Sequence, residues 1–470
     1  MHARLSLVIA VILGAATGTT SFGEATETPL ARRGCLGAQV VGAGDGVLVV
    51  GVVPDGPALQ AGIRPTDRIV AVNGHRIAVG SASSYLRGHA DGEEVTITVE
   101  RSGQEMEVRA TLAAPRTPDL PGAFTEFGEV RLTDGTRVRS IFTAPFPESD
   151  RPQPAVFFIQ HTDCATVDPE VAQSSGWFDL IETVAQSGFI TMRVDKPGVG
   201  DSEGPECGTL DYLSELDVYR AALASLLADP RVDPTRVFLI ANRGGTTIAP
   251  VLAREADFAG VCAIGPIVRP WFEHTLDLMR RQSRDWDMPP MQSEKMLHDC
   301  AELLARVILL GQEPAEVVRE YPALAPLAQS LGGDRLFGRS PAFHRQLNDA
   351  DLAAAWSMIE TDVLVLRGEF DRYSTPGDQE LVARLVNGPT GSRAWTATIP
   401  KTDPELSPQD SPDYYKIKWS AIVLRPNPEL RETVLDWLDF ASASVPASPL
   451  DDGADPGQQA EREAEPKPAS

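Results

Sequence analysis

Seven histidines stand in the 470 residues, at His2, His75, His89, His161, His274, His298 and His344. Histidine is the usual general base near neutral pH, so their positions limit the acid–base chemistry open to the chain. None lies beyond residue 344. His161 has reactive neighbours: Gln160-His161-Thr162-Asp163-Cys164 sets a base, a hydroxyl and a carboxylate side by side, directly after the apolar run Val156-Phe157-Phe158-Ile159. It reads either as a base or ligand contact, or as a hydrogen-bonded loop residue. Asp201 and Ser202 close the turn Gly198-Val199-Gly200-Asp201-Ser202 and read either as partners for His161 or as turn structure. Thr246 and Thr247 read as first-turn helix residues rather than nucleophiles. Gly198-Val199-Gly200 lacks the spacing and the Lys-Ser/Thr ending of a phosphate loop. There is no His-Glu-x-x-His and no paired Cys-x-x-Cys, so no metal and no cofactor is expected.

Five cysteines leave at least one unpaired within the chain. Cys164 and Cys207 each follow an expected parallel strand on the same rim and form the candidate disulfide. Cys262, within Val261 to Ile264, reads as a buried small hydrophobe.

The elements that must position these groups fall into an order along the chain. An apolar run from Leu5 to Ala16 behind His2 and Arg4 reads as a secretory signal over residues 1–25. It is too short for a span, which needs about 20 residues. No later stretch reads as a stable membrane span. The expected location is therefore exported, either periplasmic or secreted. A β-rich unit is expected over 33–113, a Pro-rich linker over 114–124, and alternating strands and helices over 125–440. Residues 270–350 read as a helical lid. Residues 445–470, rich in Pro, Ala, Asp and Glu, read as a disordered acidic tail. With 42 Lys and Arg against 66 Asp and Glu, the net charge of −24 argues against a nucleic-acid partner.

The first unit carries Arg33-Gly34-Cys35-Leu36-Gly37, then Val52-Val53-Pro54-Asp55-Gly56-Pro57-Ala58-Leu59-Gln60-Ala61-Gly62-Ile63, then Asp67-Arg68-Ile69-Val70-Ala71-Val72-Asn73-Gly74. It resembles a PDZ domain of exported bacterial proteases. Gly56-Pro57 should open a short helix, and Asn73-Gly74 a hairpin turn with positive φ. The resemblance implies a C-terminal peptide or protein partner. Its carboxylate would be held at Cys35, Leu36, Gly37 and Ala38, and its strand would pair from Gln39 to Val41. The alternative is a domain that only packs on its neighbour.

Residues ~125–440 resemble the α/β-hydrolase fold, and more narrowly the secreted bacterial hydrolases that carry an N-terminal PDZ domain. The resemblance rests on Gly198-Val199-Gly200-Asp201-Ser202-Glu203-Gly204, on Val268-Arg269-Pro270-Trp271-Phe272-Glu273 with Arg280-Arg281-Gln282, and on Gly368-Glu369-Phe370-Asp371. That family uses a nucleophile, an acid and a histidine in this chain order. The Gly-x-Ser-x-Gly position here is Ala241-Asn242-Arg243-Gly244-Gly245, with Arg243 at the apex, or Asn242 if the frame slides by one. Neither forms an acyl-enzyme. Asp371 supplies the acid. Ile399-Pro400-Lys401-Thr402-Asp403-Pro404 places Pro404 where the imidazole belongs. The triad is thus expected to be degenerate at Arg243, Asp371 and Pro404.

Three functions follow as expectations. The first is a pseudohydrolase acting in peptide or protein binding or scaffolding. The second is a serine-hydrolase-family esterase or peptidase with a non-standard site built from His161, Thr162, Asp201 and Gly244. The third is an anion-binding receptor using Arg243, with a small anionic ligand in the hydrolase pocket. Against this third reading, Arg243 is expected to pair with Asp371.

Overall fold

The computed structural model describes residues 29–42, 46–77, 89–147, 149–169, 176–388, 391–416 and 425–444. The stretches read as signal and tail, 1–25 and 445–470, lie outside the described residues, as does His2.

The N-terminal unit is one antiparallel sheet around a small apolar core. Its strands are β1 (Ala38–Gly42), β2 (Val47–Val52), β3 (Arg68–Val72), β4 (His75–Arg76), β5 (Glu94–Arg101) and β6 (Gln104–Thr111), with helix α1 (Pro57–Gln60) after β2. They run in the order β1-β2-β3-β5-β6, with β4 paired to β3. Val95, Ile97 and Val99 alternate into the core, as a half-buried strand requires. Val72 pairs with His75 across Asn73 and Gly74, whose φ values of 47° and 77° are those of the expected hairpin turn.

The second unit is an eight-stranded, mostly parallel sheet. Its strands are β7 (Ala123–Arg131), β8 (Arg137–Pro145), β9 (Gln153–Ile159), β10 (Ile190–Val194), β11 (Val232–Asn242), β12 (Gly260–Ile264), β13 (Val363–Gly368) and β14 (Ala394–Ile399). The order from one edge is β7-β8-β10-β9-β11-β12-β13-β14. Counted within this sheet, it is the 1-2-4-3-5-6-7-8 order of the α/β-hydrolase fold. β8 runs antiparallel to both its neighbours, and the remaining pairs are parallel.

Such a sheet is covered on both faces, so its central strands are apolar throughout. In β11, Val237, Leu239 and Ala241 enter one core while Phe238 and Ile240 enter the other. Helices α2 (Gly176–Gln186), α3 (Tyr212–Leu227) and α4 (Ala249–Glu255) follow β9, β10 and β11. After β12, the segment expected to form a lid is helical, with α5 (Trp271–Asp285), α6 (Pro290–Leu304) and α7 (Pro341–Asp349). Helices α8 (Pro376–Val386) and α9 (Pro428–Ser444) complete the layers. α2 and α9 share one core, while α3 and α4 share the other.

The two units are fastened together by residues 30–33. Arg32 pairs with Asp168 at 2.6 Å and Asp201 at 3.0 Å, and the Arg33 N–H donates to Asp201 at 2.8 Å. Arg139 reaches back to the Leu30 carbonyl at 2.6 Å. Cys164 and Cys207 form the expected disulfide, joining the loop after β9 to the turn after β10. Cys35, Cys262 and Cys300 are free, and Cys262 is wholly buried. Among the described residues no helix is long and apolar enough to cross a membrane.

Candidate functional site

The site is built where β9, β11, β12, β13 and β14 end, the edge at which open α/β sheets place ligands. β11 runs to Asn242 and breaks into a 3₁₀ turn over Arg243–Thr247. Arg243 has φ 50°, whereas Asn242 is extended at φ −115°. Of the two residues considered for the apex, only Arg243 has the strained conformation that a sharp strand-to-helix turn calls for. A non-glycine residue in this conformation costs on the order of 1–3 kcal/mol and persists only when its surroundings enforce it. Here the enforcing groups are two glycines. A Cβ on Gly244 would lie 2.4 Å from Thr162 Oγ1, and one on Gly245 would lie 2.6 Å from the Ile159 carbonyl oxygen. The elbow is pressed directly onto the β9 loop.

Thr246 and Thr247 are fully buried, and their hydroxyls donate to the carbonyls of Arg243 and Gly244. They hold the turn closed. α-Helix begins only at Ala249, so the positive group at the apex is the guanidinium rather than a helix end.

His161 lies against this elbow. The Gly244 N–H donates to its Nδ1 at 3.0 Å. In the α/β-hydrolase arrangement this N–H, following the apex, is an oxyanion-hole donor. Its occupation by Nδ1 leaves the ring proton on Nε2. Desolvation, followed by the charge of Arg243, pulls the imidazole down to about 3. His161 is therefore neutral, with its lone pair committed.

Asp201 is not brought to His161. Its carboxylate is taken by Arg32, Arg139 and the Arg33 N–H at the junction of the two units. Ser202 accepts the Arg139 N–H. The expectation of a working pair between His161 and Asp201 is thus corrected: both are bound to other partners.

Arg243 does not pair with Asp371, contrary to expectation. Asp371 is consumed by its own turn, accepting the Tyr373 N–H at 2.7 Å and the Ser374 hydroxyl at 2.5 Å. Arg243 Nη1 instead donates to Glu405 Oε1 at 2.7 Å, and its guanidinium lies 4.6 Å from the centre of the Tyr373 ring. Burial works against the charge, but Glu405, Tyr373 and Asp163 outweigh it and raise the pKa of Arg243. Pro404, which the sequence comparison set where the imidazole was expected, is buried one residue before this partner. Asp403 beside it is pushed up to about 6 by burial.

Beneath the His161 loop lies a second set of charges. Lys196 and Glu215 are wholly buried 3.2 Å apart, and Arg339 meets the other Glu215 oxygen at 2.5 Å. Lys196 Nζ donates to the His161 carbonyl at 2.7 Å, and Arg339 donates to the Thr162 carbonyl. Burial draws Lys196 below the usual lysine range, and Glu215 opposes it. The lid grips the acid turn in the same manner: Arg281 donates to the carbonyls of Arg372 and Tyr373 at 2.7 and 3.0 Å. That places the Arg280-Arg281-Gln282 signature as support for the loop carrying Asp371.

Glu405, Tyr373 and the Lys196–Glu215–Arg339 set were not singled out in the sequence. For Glu405 a signal existed: an acidic residue adjoins Pro404, where the histidine was expected, in a chain with a cation at the expected apex. Among the described residues no group of three or more His, Cys, Asp or Glu could hold a metal ion.

In the N-terminal unit, β1 is an edge of its sheet. The N–H groups of Leu36 and Gly37 make no backbone hydrogen bond among the described residues, while their carbonyls accept from Ala58 and Val53. Cys35 is bridged to Ala113, Ala38 opens β1, and Gln39 is exposed. An open strand edge beside the Leu36 and Gly37 N–H groups, the latter turned toward the Cys35 thiol, is the geometry of β-strand addition.

Comparison with known proteins agrees with this division. Residues 34–112 match the PDZ domain family, and this unit is a PDZ domain. A Brucella suis biovar 1 (strain 1330) protein described as a zinc metalloprotease is 30% identical over 83 residues, 18% of this chain and 22% of the relative. A similarly described Agrobacterium fabrum protein is 31% identical over 90 residues, 19% of this chain and 24% of the relative. The chain thus spans about a fifth to a quarter of the curated relatives it matches. Among solved structures, the α/β hydrolase GrgF of Penicillium sp. sh18 is 15% identical, covering 68% of this chain and 99% of its own, with TM-score 0.42. The esterase Est1E of Butyrivibrio proteoclasticus, with ferulic acid bound, is 11% identical over 67% of this chain and 99% of its own, also at 0.42. These likenesses transfer no residue roles; the strand order defines the fold. The protein is a PDZ domain joined to an α/β-hydrolase-like domain.

Proposed function

We propose that the protein is an exported pseudohydrolase that binds rather than turns over, recruiting a C-terminal peptide or protein through its PDZ edge. The observation that carries this reading is Arg243 at the strained apex, ion-paired to Glu405, in a chain with no histidine after residue 344. A guanidinium supplies no nucleophile, and removing triad members from such a site costs orders of magnitude in kcat. His161 adds to the case, because it covers the N–H that an oxyanion would need. Export rests on the sequence of residues 1–25 alone.

Two assays test the reading. Purified protein should leave p-nitrophenyl acetate at the background rate, and it should retain members of a C-terminal peptide library through Leu36 and Gly37. Ester turnover abolished by Asp371→Ala removes the pseudohydrolase reading; retention of no peptide removes the PDZ role.

A second reading is favoured by one specific feature. The Arg243 side chain makes a single hydrogen bond among the described residues, and its Nε is buried without a hydrogen-bond partner. A buried guanidinium with an unused donor suits an anion receptor in the hydrolase pocket.

A further inference from the structure

We propose that the Arg243–Glu405 pair is a self-occupied carboxylate site, in which Glu405 holds the place of an organic monocarboxylate that binds Arg243 by displacing it. The proposal rests on the reading of Arg243 as an anion receptor and names both the ligand class and the gate.

The two partners differ in how firmly they are held. Arg243 is nine-tenths buried, fixed by the elbow and faced by the Tyr373 ring. Glu405 is about one-third exposed, at 34% of its side chain, and its carboxylate has no other hydrogen bond among the described residues. One partner is anchored and the other can swing into solvent. An incoming carboxylate regains the Nη1 bond that Glu405 gives up, and its second oxygen faces Nη2 across the end of the same fork. The planar, bidentate donor set of arginine matches a carboxylate.

Charge selects a monoanion. With Glu405 displaced, one positive charge is left, and Asp163 remains close enough to act on it. Asp371 Oδ2 and Arg243 Cγ both flank Gly265, within 3.0 and 3.4 Å of where its Cβ would be. A phosphate dianion entering there brings two negative charges to one cation already faced by Asp163, and like charges at short range disfavour it.

Isothermal titration calorimetry on the full chain tests this with sodium benzoate and, at matched ionic strength, inorganic phosphate. Wild type, Glu405→Gln and Arg243→Asn are compared; asparagine tolerates the positive φ. If Glu405 covers Arg243 about nine-tenths of the time, Glu405→Gln binds benzoate roughly tenfold tighter than wild type, phosphate binds more weakly than benzoate, and Arg243→Asn binds neither. Equal benzoate affinity in wild type and Glu405→Gln, lost in Arg243→Asn, overturns the gate and leaves the anion receptor standing. Absence of benzoate and phosphate binding in both wild type and Glu405→Gln overturns both. Phosphate binding as tight as benzoate overturns the carboxylate preference. Should Arg243→Asn not fold, as judged by near-UV circular dichroism, the comparison of Glu405→Gln with wild type still decides the gate.

Discussion

The site has two sides held by the same kind of interaction in opposite settings. Under the β9 loop, Lys196, Glu215 and Arg339 are buried at or near 0% exposure and fix the carbonyls of His161 and Thr162. Across the elbow, Arg243 and Glu405 form one pair, 10% and 34% exposed. Burial makes an ion pair expensive to break, because a stranded charge cannot be solvated, whereas in the second pair one partner, Glu405, is a third exposed and can turn to water. The first side is a rigid floor. The second is a latch.

The largest effect that could break this contrast is on the floor. Glu215→Ala strands two buried cations and should lower stability by about 3–5 kcal/mol in urea unfolding. A loss below about 1 kcal/mol would mean that the floor is not held by this charge. The disulfide holds the same loop covalently. Cys207→Ser should lose about 2–4 kcal/mol, from release of a closed loop in the unfolded chain.

Acid should also act on the buried parts. His274 and His344 flank Trp271 at the base of the lid, and desolvation, the largest cause for each, draws both down to about 4. The unfolded chain therefore binds more protons than the folded one between pH 6.5 and 4, so stability falls as pH drops through that window. Each histidine contributes up to roughly 3 kcal/mol of that loss. His344→Gln should flatten the pH dependence of urea unfolding, and an unchanged slope would exclude this histidine as a source. The smallest effect belongs to the latch. Glu405→Gln keeps an amide oxygen for Arg243 and should cost about 1–2 kcal/mol, and a loss comparable with that of Glu215→Ala would erase the distinction between the two sides.

Backbone features were the most readable in the sequence. The Asn73-Gly74 turn, the apolar runs of β9, β11 and β13, and the disulfide follow from local chemistry or from strand ends sharing a rim. The apex also lay within reach, since Gly244 and Gly245 mark the close approach to the β9 loop. What failed was pairing. Opposite charges at Arg243 and Asp371 suggested a bond, but a carboxylate at a turn finds local N–H and O–H donors first, and Asp371 took Tyr373 and Ser374. Glu405 lies 162 positions from Arg243, and only the fold brings them together. Asp201 failed for a related reason: its partners at Arg32 and Arg33 belong to the segment preceding the PDZ domain.

The central claim, that the elbow binds without forming an acyl-enzyme, is tested most directly by intact-mass analysis after incubation with a fluorophosphonate probe. The account predicts no adduct on the full chain, and none on an Arg243→Ser variant either, because that hydroxyl would have no general base. A single adduct on the wild-type chain, lost in Asp371→Ala, would contradict it.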